Sequence, residues 1–221
     1  MASVRHAAAS KDGELIAAKD GAKGVLSILD TSTQTLVAEL RGDGAENYGS
    51  DGDFFFVNQN KNLLVRNTSG VFSLWNIKDQ KVEHTWDTDY GVEEMAIRDN
   101  LLVIIDDELK ISTWDLAKTA NEKSIDSFKV DPGDQSTGKV CHISISKNGA
   151  YYAFSVANKL ENLQTIYVVD RSTQKIASKY TTELSCWSAR FANNDRYLVI
   201  DSYPIEVVDW RTSKVVHRFS R

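Results

Sequence analysis

The chain has 221 residues and a formal net charge of −5, with 42% hydrophobic and 26% charged residues. A chain of this length can bury a full core, as one all-β domain or as two smaller ones, and the composition excludes a wholly disordered protein. The acidic balance argues against nucleic acid as the main ligand, because phosphate binding is normally driven by Lys and Arg.

The N-terminal residues contain no apolar stretch of the kind that a secretory signal peptide needs. No apolar run approaches the ~20 residues that cross a bilayer, so membrane insertion is not expected. The two cysteines, Cys141 and Cys186, are therefore predicted to be reduced thiols in a cytoplasmic or nuclear protein.

Taken in order, the chain holds five units, each predicted to contain four short strands. In the first unit we predict strands over Val4 to Ser10, Leu15 to Lys19, Val25 to Leu29 and Thr35 to Leu40. Second strands such as LLVII are nearly all apolar, as expected of a strand packed on both faces, whereas outer strands such as KVEHTW alternate and keep one face in water. The approximate bounds of the units are 4–40, 53–87, 92–130, 140–182 and 186–221.

Two polar turns recur in register with these strands. The turn after each first strand is rich in Asn, Asp and Gly, which supply a positive φ or a side-chain hydrogen bond to the backbone. The second turn follows an Asp or Asn that closes the third strand, at positions 30, 76, 115, 170 and 209. These anchors lie 39 to 55 residues apart, around the ~40–45 residues of a four-stranded propeller blade.

The pattern predicts an all-β fold, a β-propeller of about five four-stranded blades that forms a single domain over residues 1–221. Three forms of closure remain open at this point. The blades could close a five-blade ring, form an open propeller that a partner completes, or be part of a longer propeller.

The motifs resemble those of the WD40-repeat family, and the resemblance covers nearly the whole chain. It is carried by the pair Trp114-Asp115, the variant pair Trp75-Asn76, and the turns SKDGEL and SKNGAY. The resemblance implies blades around an axis whose rim and faces serve as a docking platform for other proteins. It also places Asp20 and Asp107 at the turn that holds the acidic member of the family's hydrogen-bond network. One unit keeps Trp-Asp and none has the Gly-His dipeptide, so the chain resembles a divergent member.

Residues for catalysis or metal binding are not grouped in the sequence. No phosphate-binding loop, GxSxG, HExxH or paired-cysteine motif occurs. We therefore predict a protein that is not an enzyme and uses no cofactor or metal. The four histidines fall on different predicted strands without the spacing of metal ligands: His6, His84, His142 and His217.

Charge is distributed unequally between the two sets of predicted loops. Loops between blades and loops between second and third strands emerge on one face of a propeller, and this face is rich in Asp and Glu. The other loops carry most of the Lys and Arg, among them Lys11, Lys61, Lys147, Arg196 and Arg211. We predict that the acidic face binds a basic segment of a partner protein, through Asp43, Tyr48, Asp51, Asp53, Asp87, Tyr90, Glu93, Asp106, Asp107, Glu108, Trp187 and Tyr203.

These observations predict a non-catalytic scaffold that binds other proteins within a multi-subunit complex. An alternative is a component of an RNA-processing or translation assembly that contacts RNA through the basic face, with nucleic acid the less favoured partner. A second alternative is a carboxylate-dependent glycoside hydrolase, since acidic pairs such as Glu93-Glu94 occur. The sequence does not identify the partner, the pathway or the oligomeric state.

Overall fold

The computed structural model describes residues 4–20, 25–41, 54–67, 70–86, 92–118, 125–133, 138–158, 163–183, 188–202 and 204–219. Within this part of the chain all regular structure is β-strand, arranged as five antiparallel four-stranded sheets whose strands follow chain order. The predictions of an all-β fold and of a four-stranded repeat are confirmed. The arrangement is consistent with a propeller-like fold.

The strands lie close to their predicted bounds. Sheet 1 contains β1 (Val4–Ala9), β2 (Leu15–Asp20), β3 (Val25–Asp30) and β4 (Leu36–Leu40). Sheet 2 contains β5 (Phe54–Val57), β6 (Asn62–Arg66), β7 (Phe72–Asn76) and β8 (Lys81–Trp86). Sheet 3 contains β9 (Val92–Arg98), β10 (Leu101–Asp106), β11 (Lys110–Asp115) and β12 (Asp126–Lys129). Sheet 4 contains β13 (Val140–Ile145), β14 (Tyr151–Asn158), β15 (Leu163–Asp170) and β16 (Lys175–Thr182). Sheet 5 contains β17 (Ser188–Ala192), β18 (Tyr197–Asp201), β19 (Ile205–Asp209) and β20 (Lys214–Phe219).

The chain divides into two compact units, which are described separately. Unit 1 holds sheets 1 and 2, and unit 2 holds sheets 3, 4 and 5. The organisation as a single domain over residues 1–221 stays a prediction.

The turn after the first strand is built in the same way in sheets 1 and 4. The hydroxyl of Ser10 donates to Asp12 Oδ1 at 2.6 Å, and its oxygen accepts the N–H of Leu15 at 2.9 Å. The hydroxyl of Ser146 likewise donates to Asn148 Oδ1 at 3.0 Å. These local bonds close a tight hairpin, which explains why Ser-Lys-Asp/Asn-Gly recurs at this position.

The Asp that closes the third strand shapes the following turn. Asp30 Oδ1 accepts the hydroxyl of Ser32 at 2.6 Å and the N–H of Thr33 at 2.8 Å. These hydrogen bonds, the one from Ser32 foremost, lower the pKa of Asp30 from 3.8 to about 2. Asp170 forms the same bond with Ser172 at 2.6 Å, and its pKa is lowered for the same reason. Asp30 and Asp170 are therefore turn-forming residues.

Four of the sheets share a further irregularity between their third and fourth strands. The last turn residue has a positive φ, at Gln34, Gln80, Gln174 and Ser213. In each case the pairing of the two strands shifts just beyond the turn, as in a β-bulge. The repeated bulge shows that these four sheets have the same backbone conformation at this turn.

Within each unit, neighbouring sheets are held together by buried apolar side chains. In unit 1, Ile28 and Leu40 of sheet 1 belong to one core with Leu63 and Trp75 of sheet 2. In unit 2, one core joins sheets 3 and 4 and another joins sheets 4 and 5. Because burying one Leu or Ile side chain contributes ~1.5–3 kcal/mol, this stacking is the main source of stability.

A buried carboxylate ties the outer strands of sheets 4 and 5. Glu206 on β19 is 1% exposed. Its carboxylate accepts the hydroxyl of Tyr180 on β16 at 2.8 Å and Nε of Arg218 on β20 at 2.7 Å. The side chain of Arg218 is 62% exposed, so the buried acid is neutralised by a cation that water also reaches.

This contact predicts a loss of stability at high pH. Burial and the Glu206 carboxylate raise the pKa of Tyr180 from 10 to about 12. The folded state therefore holds the phenolic proton more tightly than the unfolded state, and the resulting stabilisation is complete below pH 10 and is lost between pH 10 and about 12. Urea denaturation at a series of pH values should show the free energy of unfolding falling across this interval relative to Tyr180→Phe. Parallel curves for the two proteins would contradict the prediction.

Candidate functional site

Four of the twelve residues predicted to bind a partner lie in the described part of the chain. They are Glu93, Asp106, Asp107 and Glu108. The other eight lie outside the described residues: Asp43, Tyr48, Asp51, Asp53, Asp87, Tyr90, Trp187 and Tyr203. The prediction for the larger aromatic and acidic set therefore stays a prediction.

The four described residues meet at one end of sheet 3. Strand β9 begins where β10 ends, because Val92 pairs with Asp106 across a β-bulge. Glu93 is the second residue of β9 and is half-buried, whereas Asp107 and Glu108 form the exposed turn between β10 and β11. The antiparallel topology thus brings together acids that are 15 positions apart in sequence, from 93 to 108.

Asp106 differs from its two neighbours. It is 8% exposed, and its Oδ1 accepts the N–H of Glu108 at 3.0 Å and the N–H of Lys110 at 2.8 Å. These bonds hold a turn in which Leu109 has a φ of 63°, an uncommon conformation for a residue with a branched side chain. Asp106 therefore shapes the loop, and the exposed charge is carried by Asp107 and Glu108.

An open groove of about 610 Å³ runs along this turn. One side is the β10–β11 turn, and the other is the segment that follows β12. Leu109 and Val130 lie at its floor and are nearly buried, at 6% and 2% exposed. Asp107, Glu108 and Asp131 contribute carboxylates. The groove therefore carries negative charge above a floor of nearly buried apolar side chains.

The groove contains one exposed ion pair. Lys129 Nζ lies 3.0 Å from Glu108 Oε2, and the two side chains are 64% and 66% exposed. An exposed pair of this kind contributes only ~0–1 kcal/mol, because water screens it. The Glu108 carboxylate can therefore exchange Lys129 for another cation at little cost.

The histidines that the structure describes lie apart from one another on different strands. No group of three or more His, Cys, Asp or Glu side chains that could hold a metal ion occurs among the described residues. His84 and His217 contact the rings of Trp86 and Phe219, with ring centroids 4.8 and 4.4 Å apart. Burial foremost, and then the charge of Arg190, lower the pKa of His142.

Cys141 is a free, half-buried thiol whose pKa is raised, mainly by burial. Cys186 and the side chains of His6 and Asp20 lie outside the described part of the chain. The described residues also include no helix that could span a membrane.

Two features of this end of sheet 3 were not predicted. The sequence did not indicate that the segment after β12 forms a groove with the β10–β11 turn, or that Lys129 pairs with Glu108. A signal for the groove does exist in the turn sequence Asp131-Pro132-Gly133, where Gly133 has a φ of 78° and donates its N–H to Asp131 Oδ1 at 2.9 Å.

The fold and the groove define an all-β protein of repeated four-stranded sheets with an acidic edge. Comparison of the sequence with protein-family models and with curated proteins gives no match. The similarity to WD40 repeats therefore remains a resemblance of motifs.

Proposed function

We propose that the protein is a non-catalytic interaction scaffold whose acidic groove at the end of sheet 3 binds a basic segment of a partner protein. The observation that carries this proposal is the convergence of the carboxylates of Asp107, Glu108 and Asp131 on one groove. The partner is expected in the cytoplasm or nucleus, within a multi-subunit complex. On this proposal the five sheets are the blades of a WD40-like propeller.

A Lys or Arg side chain suits such a groove chemically. Its aliphatic stem can cover apolar surface while its charged end reaches a carboxylate. The edge of Leu109, which is 6% exposed, offers a small contact of the first kind, and the exposed Asp107 offers the second. The groove thus favours a basic segment over an acidic or a purely apolar one.

The proposal is tested by reversing the two exposed charges while Asp106 is kept. An Asp107→Lys/Glu108→Lys variant should bind a Lys- and Arg-rich peptide at least about tenfold more weakly, since two attractive contacts become repulsive. Fluorescence anisotropy against salt concentration measures both the affinity and its salt dependence. The matched control is Glu14→Lys/Asp79→Lys, which makes the same charge change at exposed turns of unit 1. Equal weakening in the two variants would mean that only net charge matters and would refute the proposal.

A gain of affinity provides the complementary arm of the same test. Lys129→Gln removes the cation that occupies Glu108, so the peptide should bind up to about fivefold more tightly, as expected for release of a pair contributing ~1 kcal/mol. An unchanged affinity for both this variant and the charge-reversal variant would place the binding surface elsewhere.

A further inference from the structure

We propose that a second surface, at the opposite end of the strands from the acidic groove, binds an acidic segment of a partner protein. This surface, the basic corner, consists of Lys147, Arg196 and Arg211. They lie in three different hairpin turns of sheets 4 and 5: the β13–β14, β17–β18 and β19–β20 turns.

The position of the basic corner follows from contacts within unit 2. The β13–β14 turn lies beside the start of β10, since a Cβ on Gly149 would be 3.4 Å from Leu101. The acidic groove lies beyond the end of β10, at Asp107 and Glu108. The two surfaces are therefore at opposite ends of the strands, and a partner at one leaves the other accessible.

The three turns are joined through Asp195, which is 8% exposed. Its Oδ1 accepts the backbone N–H of Lys147 at 2.6 Å. Its carbonyl oxygen accepts Nε1 of Trp210 at 2.7 Å and Nη1 of Arg211 at 3.2 Å. Turns that are far apart in sequence are thus held in one arrangement by a single residue.

The cations of the basic corner are positioned by uncharged groups. Arg211 lies over the ring of Trp210 at 4.3 Å, and Arg196 lies over the ring of Tyr197 at 5.0 Å. Lys147 Nζ donates to the amide oxygen of Asn194 at 3.1 Å. These contacts restrain the side chains without neutralising them.

Two Arg side chains elsewhere in unit 2 do have carboxylate partners. Arg171 is paired with Asp126 at 2.6 Å, and Arg218 is paired with Glu206 at 2.7 Å. Within the described residues no such ion pair involves the three cations of the basic corner. The carboxylates of Asp195 and Asp209 lie in these turns, and each accepts a backbone N–H, from Lys147 at 2.6 Å and from Arg211 at 3.2 Å. Their positive charge is therefore available to a ligand.

The partner that fits is a protein segment with Asp or Glu side chains. Arg and Lys bind carboxylates and phosphates alike, but single-stranded nucleic acid also needs open aromatic faces for base stacking. Trp210 is 3% exposed, and Tyr197 is half-buried beneath Arg196. The net charge of −5 further opposes a long polyanion. A short acidic segment needs neither stacking nor an extended basic track.

The test compares two variants that each remove three positive charges. Lys147→Gln/Arg196→Gln/Arg211→Gln neutralises the basic corner, and Lys11→Gln/Lys61→Gln/Lys78→Gln neutralises exposed turns of unit 1 as a matched control. The probes are a labelled glutamate-rich peptide and a labelled single-stranded RNA, each titrated by fluorescence anisotropy. We expect the variant of the basic corner to bind the peptide at least about tenfold more weakly than the unsubstituted chain does. The control variant should bind the peptide within about twofold of the unsubstituted chain. The unsubstituted chain should bind the RNA more weakly than the peptide.

Folding is checked separately. Lys147→Gln is not expected to disturb the fold, because it leaves in place the backbone N–H that donates to Asp195. Thermal unfolding of all variants is measured, and Arg196→Gln alone, which removes only a contact with a ring, serves as a folded second variant. Arg196→Gln should weaken peptide binding severalfold. Equal weakening in the corner and control variants, no binding of the peptide by the unsubstituted chain, or tighter binding of RNA would each overturn the proposal.

Discussion

Replacing the exposed Arg218 by alanine should lower the free energy of unfolding by clearly more than removal of an ordinary exposed ion pair does. The reason lies in its partner, because Glu206 is 1% exposed and accepts hydrogen bonds from Arg218 and Tyr180. Without the guanidinium, a buried carboxylate keeps one neutral donor and loses its counter-charge. Urea denaturation measures the change.

The companion substitution isolates the charge as the cause. In a Glu206→Gln background the side chain is neutral and can still accept the Tyr180 hydroxyl, so adding Arg218→Ala should cause a much smaller further loss of stability. The two substitutions should therefore be strongly non-additive. If the cost of Arg218→Ala is the same in both backgrounds, packing of its aliphatic stem explains the effect and the charge does not.

Replacing Trp210 by alanine should lower the free energy of unfolding by about 3–5 kcal/mol, the range for removing a buried Trp or Phe from a core. Trp210 is 3% exposed and belongs to the core between sheets 4 and 5. Its ring contacts Tyr151 and Phe191, with centroids 4.9 and 6.3 Å away. Its Nε1 also donates to the carbonyl of Asp195 at 2.7 Å.

A conservative variant separates the ring from its N–H group. Trp210→Phe keeps most of the apolar contact but leaves the Asp195 carbonyl without this donor, so it should cost about 1–2 kcal/mol. Since Arg211 also donates to that carbonyl, the oxygen keeps one partner. Equal costs for the alanine and phenylalanine variants, measured by urea denaturation, would mean that the hydrogen bond outweighs the packing.

The strands and turns were predictable because their causes are local. Alternating or continuous apolar residues define the strands, and Ser10, Asp12 and Asp30 form turns through hydrogen bonds to residues within five positions in the chain. The acidic end of sheet 3 was predictable in part for the same reason, since any β10–β11 turn must expose Asp107 and Glu108.

Residues whose role depends on distant contacts were not predictable. Trp210 follows the anchor Asp209 and has the position of a turn residue, yet it is buried by rings from β14 and β17. Asp195 belongs to a turn of the ANNDRY type, and nothing nearby in sequence indicates its bond to the N–H of Lys147, 48 positions away. Nothing in the sequence distinguishes Asp106 from Asp107 and Glu108, whereas in the folded chain Asp106 is buried and the other two are exposed.

The amino-acid sequence by itself determined the all-β class, the four-stranded repeat and the turns, because side-chain alternation and short-range hydrogen bonding act within a single hairpin. Only the tertiary structure decided which charges remain free. Glu206 and Arg218 neutralise each other. The carboxylates of Asp106 and Asp195 accept backbone N–H groups of turns, whereas Asp107 stays exposed. The physical reason is that burial and pairing depend on which sheet lies against which, and this is set by residues far apart in the chain.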